Sequence, residues 1–228
     1  MPRPAPFTKS FTQQEPLPQA AIDAATRVLQ SGALHRYGAD PSHTATLERA
    51  YADWLPAEFC LATASGGQSM QIAMRALGVS PGDKVMTNAW TLAPVPGAIA
   101  CVGAEAVLVE TTDDLVIDLA DLEAKARASG AKVLLLSHMR GHLADMDALM
   151  AIADAQGVKV VEDCAHTMGA TWRGKASGTH GVFGCYSTQT YKHMNSGEGG
   201  FLVSNQDKWM ARAIILSGSY MLYERHKA

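Results

Sequence analysis

Lys132-Val-Leu-Leu-Leu-Ser137 and Val158-Lys-Val-Val161 decide the fold. Each run is short, aliphatic and bounded by glycine, at Gly130 and Gly157. An aliphatic run of this kind, without strict apolar–polar alternation, is a strand covered on both faces. Parallel sheets clothed by helices contain such strands. Between the two runs, Ala144–Gln156 repeats its apolar residues at the three-and-four spacing of a helix. Strand, helix, strand is the unit of a right-handed crossover.

The same alternation extends outward in both directions. Helical spacing predicts helices over Pro18–Gln30, Ser42–Trp54, Gly67–Leu77, Asp118–Ala128 and Asp207–Leu216. Ser42 and Asp118 stand where capping residues belong. Strands are expected at Cys60–Ala64, Lys84–Thr87, Ala106–Glu110, Lys132–Ser137, Lys159–Glu162, Phe183–Ser187 and Phe201–Ser204. Leu92–Val109 is the most apolar long stretch, but Pro94, Pro96 and Glu105 interrupt it. It reads as helix then strand, not as a membrane span. The expectation is one large α/β domain with a mostly parallel seven-stranded sheet and helices on both faces.

Composition narrows the function. The 228 residues carry 19 Lys plus Arg against 22 Asp plus Glu, a net charge of −3. No basic stripe points to nucleic acid. Hydrophobic residues at 47% give enough apolar surface to order a chain of this length. Cys60, Cys101, Cys164 and Cys185 form no C-x-x-C pair and lie in or beside apolar segments. They read as four buried thiols of a cytoplasmic protein. The N-terminal Met1-Pro-Arg-Pro has no apolar run of the signal-peptide kind after it.

In open α/β sheets the ligand sits beyond the carboxyl ends of the strands, so the residues there are the ones to inspect. After the first strand come Ser65-Gly66-Gly67-Gln68-Ser69, then a helix. Glycines let the backbone approach a ligand, and the first helical N–H groups favour an anion. The spacing is neither G-x-G-x-x-G nor a P-loop, so neither a dinucleotide nor ATP is indicated. Glu162 and Asp163 end a buried strand, where alternation turns one into the site and the other away. Lys192 lies in a glycine-rich loop between two strands, with Ser187 five residues before it. Desolvation there favours the neutral amine, which can bond a carbonyl carbon. An anion cradle, a buried carboxylate and an amine are together what pyridoxal 5'-phosphate (PLP) requires.

Several segments carry a resemblance to a known family. Ala64-Ser-Gly-Gly-Gln-Ser-Met70 is similar to N-S-G-T-x-A-L, and Gly103-Ala-Glu-Ala-Val-Leu-Val109 to G-A-x-P-V-x-V. His138-Met-Arg-Gly-His-Leu-Ala-Asp-Met-Asp147 is similar to H-x-x-G-x-x-A-D-M-D. Val161-Glu-Asp-Cys-Ala-His-Thr-Met-Gly-Ala170 and Lys192-His-Met-Asn-Ser-Gly-Glu-Gly-Gly200 match I-E-D-A-A-Q/H-x-x-G-A and K-N-L-x-x-G-E-G-G. The chain thus resembles the DegT/DnrJ/EryC1/StrS sugar aminotransferases, which are fold-type I PLP enzymes. The resemblance runs from Ser31 to Leu216.

The resemblance implies a three-layer fold and a set of roles. Lys192 would be the Schiff-base lysine and proton carrier. Asp163 would pair with the pyridine nitrogen. His166 would contact the ring or its 3-hydroxyl, while Gly66, Gly67 and Ser187 would hold the phosphate. Four departures stand out. The loop Ser187-Thr-Gln-Thr-Tyr-Lys192 stands where the family has S-F-x-P-T-K. Gly67 replaces the family threonine, Arg140 replaces an aromatic, and the position of the stacking aromatic falls on Leu92. Trp90, two residues earlier, is the expected cover for the ring.

The implied function is ping-pong transfer of an amino group from an amino acid, with glutamate expected, to a keto-sugar, with a nucleotide-linked one expected. Homodimerisation is implied too. The residues themselves point to no nucleic-acid partner, no membrane partner and no metal, since His138 and His142 lack the intervening acid of H-E-x-x-H. Two alternatives stand beside it: a sugar dehydratase of the same family, against which Lys192 argues, and a PLP-binding or scaffold fragment without catalytic competence. Residues 1–40 are expected to be an N-terminal segment and helix, 41–217 the PLP-binding large domain, and 218–228 the start of a missing C-terminal region.

Overall fold

The computed structural model describes residues 16–36 and 42–218, together with the single positions 8, 10 and 14. All but the first residue of the expected C-terminal region lies outside the described residues. Nine strands are described: β1 Phe59–Thr63, β2 Lys84–Asn88, β3 Glu105–Val109, β4 Val133–Ser137, β5 Lys159–Asp163, β6 Thr171–Trp172, β7 Lys175–Ala176, β8 Phe183–Ser187 and β9 Gly200–Ser204. The helices are α1 Gln19–Ser31, α2 His43–Trp54, α3 Gly66–Ala76, α4 Pro94–Cys101, α5 Leu119–Ser129, α6 Met146–Gln156 and α7 Asp207–Leu216.

Seven strands form one sheet in the order β1-β9-β8-β5-β4-β2-β3. The run from β3 to β8 is parallel, and β9 lies antiparallel to both β8 and β1. β1 therefore points the same way as the parallel strands. The carboxyl ends of β1, β2, β4, β5 and β8 all open on one edge. The expected seven strands occur within a residue or so of their predicted bounds. The sequence reading did not foresee the β6–β7 hairpin, a two-residue pairing without a hydrophobic run of its own.

Alternate residues of each strand feed opposite layers. Val85, Leu135 and Val161 pack with Met70, Ile99 and Ala213 of α3, α4 and α7 on one face. Met86, Leu134, Leu136 and Val160 pack with Leu122 of α5 and Leu149 of α6 on the other. α2 covers the β1–β9 end through Tyr51, which stacks on Phe201 with 4.0 Å between ring centroids. The layers are those of a fold-type I domain.

Helix ends follow local chemistry. Ser42 accepts from the Ala45 N–H, Ser65 from Gln68, Asp118 from Ala120 and Asp121, and Asp145 from Ala148. Each supplies an acceptor to first-turn donors that lack an intrahelical partner. α1 buries no side chain, and Leu29 on it is 68% exposed. The expected burial of all four cysteines is corrected: Cys164 and Cys185 are buried, Cys60 is half-buried and Cys101 is exposed. Cys101 ends α4 on its solvent side. Among the described residues, no helix is long and apolar enough to cross a membrane.

Candidate active site

A cavity of about 330 Å³ opens at the carboxyl ends of the strands. That size lies at the lower end of small-molecule sites. Its wall includes Gly66, Gly67, Asp163, His166, Ser187 and Lys192. Six of the seven positions singled out in the sequence thus come together from three separated segments. Trp90 is the exception. It lies edge-on to His142, with 6.1 Å between the ring centroids, whereas Leu92 lines the cavity. The backbone after β2 turns into α4 here, and that turn sends Leu92 inward.

Pleating separates the two acids at the end of β5. Asp163 shares a face with Val161 and meets the cavity. Glu162 points to the opposite side and is fully buried. It is saturated there: one oxygen accepts the His180 and Gly181 N–H groups at 2.8 Å, the other the Gly178 N–H at 2.8 Å and His138 Nε2 at 3.0 Å. Burial pushes the Glu162 carboxyl up, but the His138 pair and the backbone donors outweigh it and hold it below its ordinary value. Glu162, His138 and Cys164 offer ligand atoms within 4.8 Å of one another. The carboxylate there already accepts four donors, so the cluster is organised as a hydrogen-bond hub.

Asp163 sits in a different environment. Its Oδ1 accepts the Ala165 N–H at 3.1 Å and its Oδ2 the Ser137 hydroxyl at 3.4 Å. Burial raises its carboxyl above the ordinary value despite these donors and the charges of His138 and Lys192. Among the described residues, no cationic nitrogen is close enough to form an ion pair with it. A carboxylate of this kind can take a positively charged partner brought by a ligand.

Lys192 Nζ lies 2.9 Å from His166 Nε2. Burial lowers the Lys192 amine, and the positive charge of Arg140 adds to the effect, against the pull of Asp163. Burial also lowers His166, reinforced by Lys192, Arg140 and His193. The amine is thereby shifted toward its neutral, nucleophilic form.

At the other end of the cavity, α3 begins directly against β8. A methyl group on Gly66 would meet Ser187 Cβ at 3.0 Å and the Tyr186 carbonyl at 3.2 Å. Glycine lets the helix start this close to the strand without pushing on Ser187. The first N–H groups of α3 and the Ser187 hydroxyl are suited to an anion. The residues therefore fit PLP on three independent grounds: the glycine-lined anion cradle, the unpaired carboxylate and the depressed amine.

Sequence reasoning did not identify Ser137, which also lines the cavity. It ends β4, as Asp163 ends β5, so the strand-end rule that found the acid applied equally to it.

The profile described as the DegT/DnrJ/EryC1/StrS aminotransferase family matches residues 17–225. The L-glutamine:2-deoxy-scyllo-inosose aminotransferase of Streptoalloteichus tenebrarius is 35% identical over 82% of this chain and 45% of its own length. The GDP-perosamine synthase of Caulobacter vibrioides is 32% identical over 76% of this chain and 47% of its own. The crystal structure of 3-amino-5-hydroxybenzoic acid synthase superposes with a TM-score of 0.83 at 31% identity, over 90% of this chain and 54% of that one. The chain spans about half the length of the curated relatives it matches.

Proposed function

The chain belongs to the DegT/DnrJ/EryC1/StrS aminotransferase family, and from that premise we propose that it is the PLP-holding part of an enzyme that moves an amino group from an amino acid to a cyclic polyhydroxy ketone. The observation that carries the reading is the meeting of Lys192, His166 and Asp163 with the Gly66–Gly67 cradle in one cavity. Residues 41–217 are the unit proposed to hold the cofactor, within a homodimer of the cytoplasm.

When bound, PLP supplies an aldehyde carbon that bonds amines and a ring that accepts the electron pair left by deprotonation. The chain's own residues do the rest. The α3 N–H groups and Ser187 would hold the phosphate. Asp163 would hold a positive ring nitrogen. Lys192 would hold the cofactor through its amine, and its Nζ would carry a proton. His166 orients that amine. Leu92 keeps water from one face of the cavity.

L-Glutamine is the donor this reading favours over glutamate, because the inosose aminotransferase relative is named for it. The keto group is proposed to sit on an inosose or a nucleotide-linked sugar, the two classes that the relatives' names support. The test is reconstitution with PLP followed by borohydride reduction and peptide mapping. The expected result is a pyridoxyl label on Lys192 that Lys192→Ala abolishes. Amine transfer from glutamine to scyllo-inosose derivatives or nucleotide keto-sugars then identifies the acceptor. A label found elsewhere, or nowhere, overturns the reading.

A further inference from the structure

Ser137 and Asp163 are register partners in the parallel β4–β5 pair. Their side chains meet at the end of the ladder, with Ser137 Oγ 3.4 Å from Asp163 Oδ2. A serine hydroxyl has one proton, and where it points depends on what else the oxygen contacts. Here Thr91 Oγ1 donates to Ser137 Oγ at 2.7 Å. That bond occupies a lone pair of the serine and leaves its proton for the carboxylate. Asn88 fixes the serine backbone from both sides: its Nδ2 donates to the Ser137 carbonyl at 2.7 Å and its Oδ1 accepts the Ser137 N–H at 3.0 Å. Asn88 is 2% exposed and Ser137 5%, so water competes little for these bonds.

We propose that Thr91 and Ser137 form a one-way hydroxyl relay that orients Asp163 as an anion for a protonated heteroaromatic nitrogen. Ser137 is then a positioning residue, with Asn88 as its clamp. The inference deepens the PLP reading above and rests on it. A neutral relay suits this position. A lysine or arginine there would neutralise Asp163 and compete with the ring nitrogen, whereas a hydroxyl dipole supports the charge without occupying its partner's place. The remaining Asp163 oxygen contact, from the Ala165 N–H, comes from its own backbone turn. Ser137 is thus the side chain that fixes the rotation of the carboxylate.

The test uses 4-deoxypyridoxine 5'-phosphate, which has the ring nitrogen and phosphate but no aldehyde, so binding is separated from Lys192 chemistry. Its affinity is measured by calorimetry on the full chain and on Ser137→Ala, Thr91→Val and Ser137→Thr. Each is made alone and combined with Asp163→Asn. The contact is long, so Ser137→Ala is expected to weaken binding by about fivefold. Thr91→Val should weaken it less, and Ser137→Thr should restore it. In the Asp163→Asn background neither Ser137→Ala nor Thr91→Val should change affinity, because the relay acts only through the carboxylate. Wild-type affinity in Ser137→Ala overturns the relay. So does an equal loss in both backgrounds, which would mark Ser137 as merely structural. No binding by the unsubstituted chain overturns the PLP reading and the relay with it, whereas binding indifferent to Ser137 overturns the relay alone.

Discussion

Lys192 Nζ and His166 Nε2 lie 2.9 Å apart, while His166 Nδ1 accepts the backbone N–H of Arg140 at 3.2 Å. A neutral imidazole has one N–H, and an Nδ1 that accepts places it on Nε2. His166 is then the donor and Lys192 the acceptor, which requires the lysine to be a free amine. The depressed pKa of both groups agrees with that arrangement. Arg140 sits at φ 57°, in the left-handed region that side chains avoid. The strained residue is the one whose N–H meets the histidine.

The pH dependence follows from the same pair. Lys192 is lowered, so its neutral fraction persists to lower pH than that of an ordinary lysine. Protonating it as pH falls disfavours the folded apoprotein relative to the unfolded chain. Amine labelling of the apoprotein, followed peptide by peptide, is expected to show Lys192 reacting at lower pH than an ordinary lysine. His166→Ala should move that profile upward. His166→Gln, with an amide N–H able to stand in for Nε2–H, should move it less.

The cradle separates two adjacent glycines. Gly66→Ala places a methyl group 3.0 Å from Ser187 Cβ, whereas at Gly67 the nearest atom is Ser65 Oγ at 3.7 Å. Gly66→Ala is expected to cost about 1–3 kcal/mol of stability and to lower PLP affinity at least tenfold. Gly67→Ala should leave stability within about 0.5 kcal/mol, as a substitution without a clash does. Urea unfolding and PLP titration of both variants read the difference.

Glu162 organises the turn that leads into β8. Glu162→Gln exchanges one of two saturated acceptor oxygens for an N–H₂ group facing donors. The expected loss is about 3 kcal/mol. The Glu162 carboxyl is held low, so its contribution is in place above the ordinary carboxylate range and disappears as pH falls through the folded value. The gap in unfolding free energy between wild type and Glu162→Gln should therefore narrow in acid, as chemical denaturation across pH will show.

Leu92 and Trp90 can be told apart at the ring face. Leu92 lines the cavity and Trp90 packs against His142. Leu92→Phe is expected to tighten PLP binding by about threefold to tenfold through stacking. Trp90→Ala should leave it within about twofold, since loss of a residue away from the cavity removes no ring contact. Equilibrium dialysis with PLP measures both.

Much of this site was legible in the chain. Lys132–Ser137 and Lys159–Glu162 read as buried strands because they are short, aliphatic within, and preceded by glycine. The acids ending β5 read as a divided pair because the pleat alternates by two. Gly66, Gly67 and Lys192 stood out because a glycine-rich turn after a strand, a strand-end acid and a lysine in a glycine-rich loop together meet what PLP requires. The β6–β7 hairpin was not legible, because two residues on each side have no periodicity.

The sequence by itself determined the layers, the strand ends and the residue types of an anion cradle, a carboxylate and an amine. Local periodicity and turn chemistry are properties of neighbours in the chain. Only the tertiary structure decided that Leu92 rather than Trp90 faces the cavity, and that Thr91, Ser137 and Asn88 stand behind Asp163. Those choices depend on register and on the turn after β2, where residues about 50 apart in sequence meet through neighbouring strands. The lowered amine belongs to the same class, since burial and the proximity of Arg140 exist only once the loops have closed around Lys192.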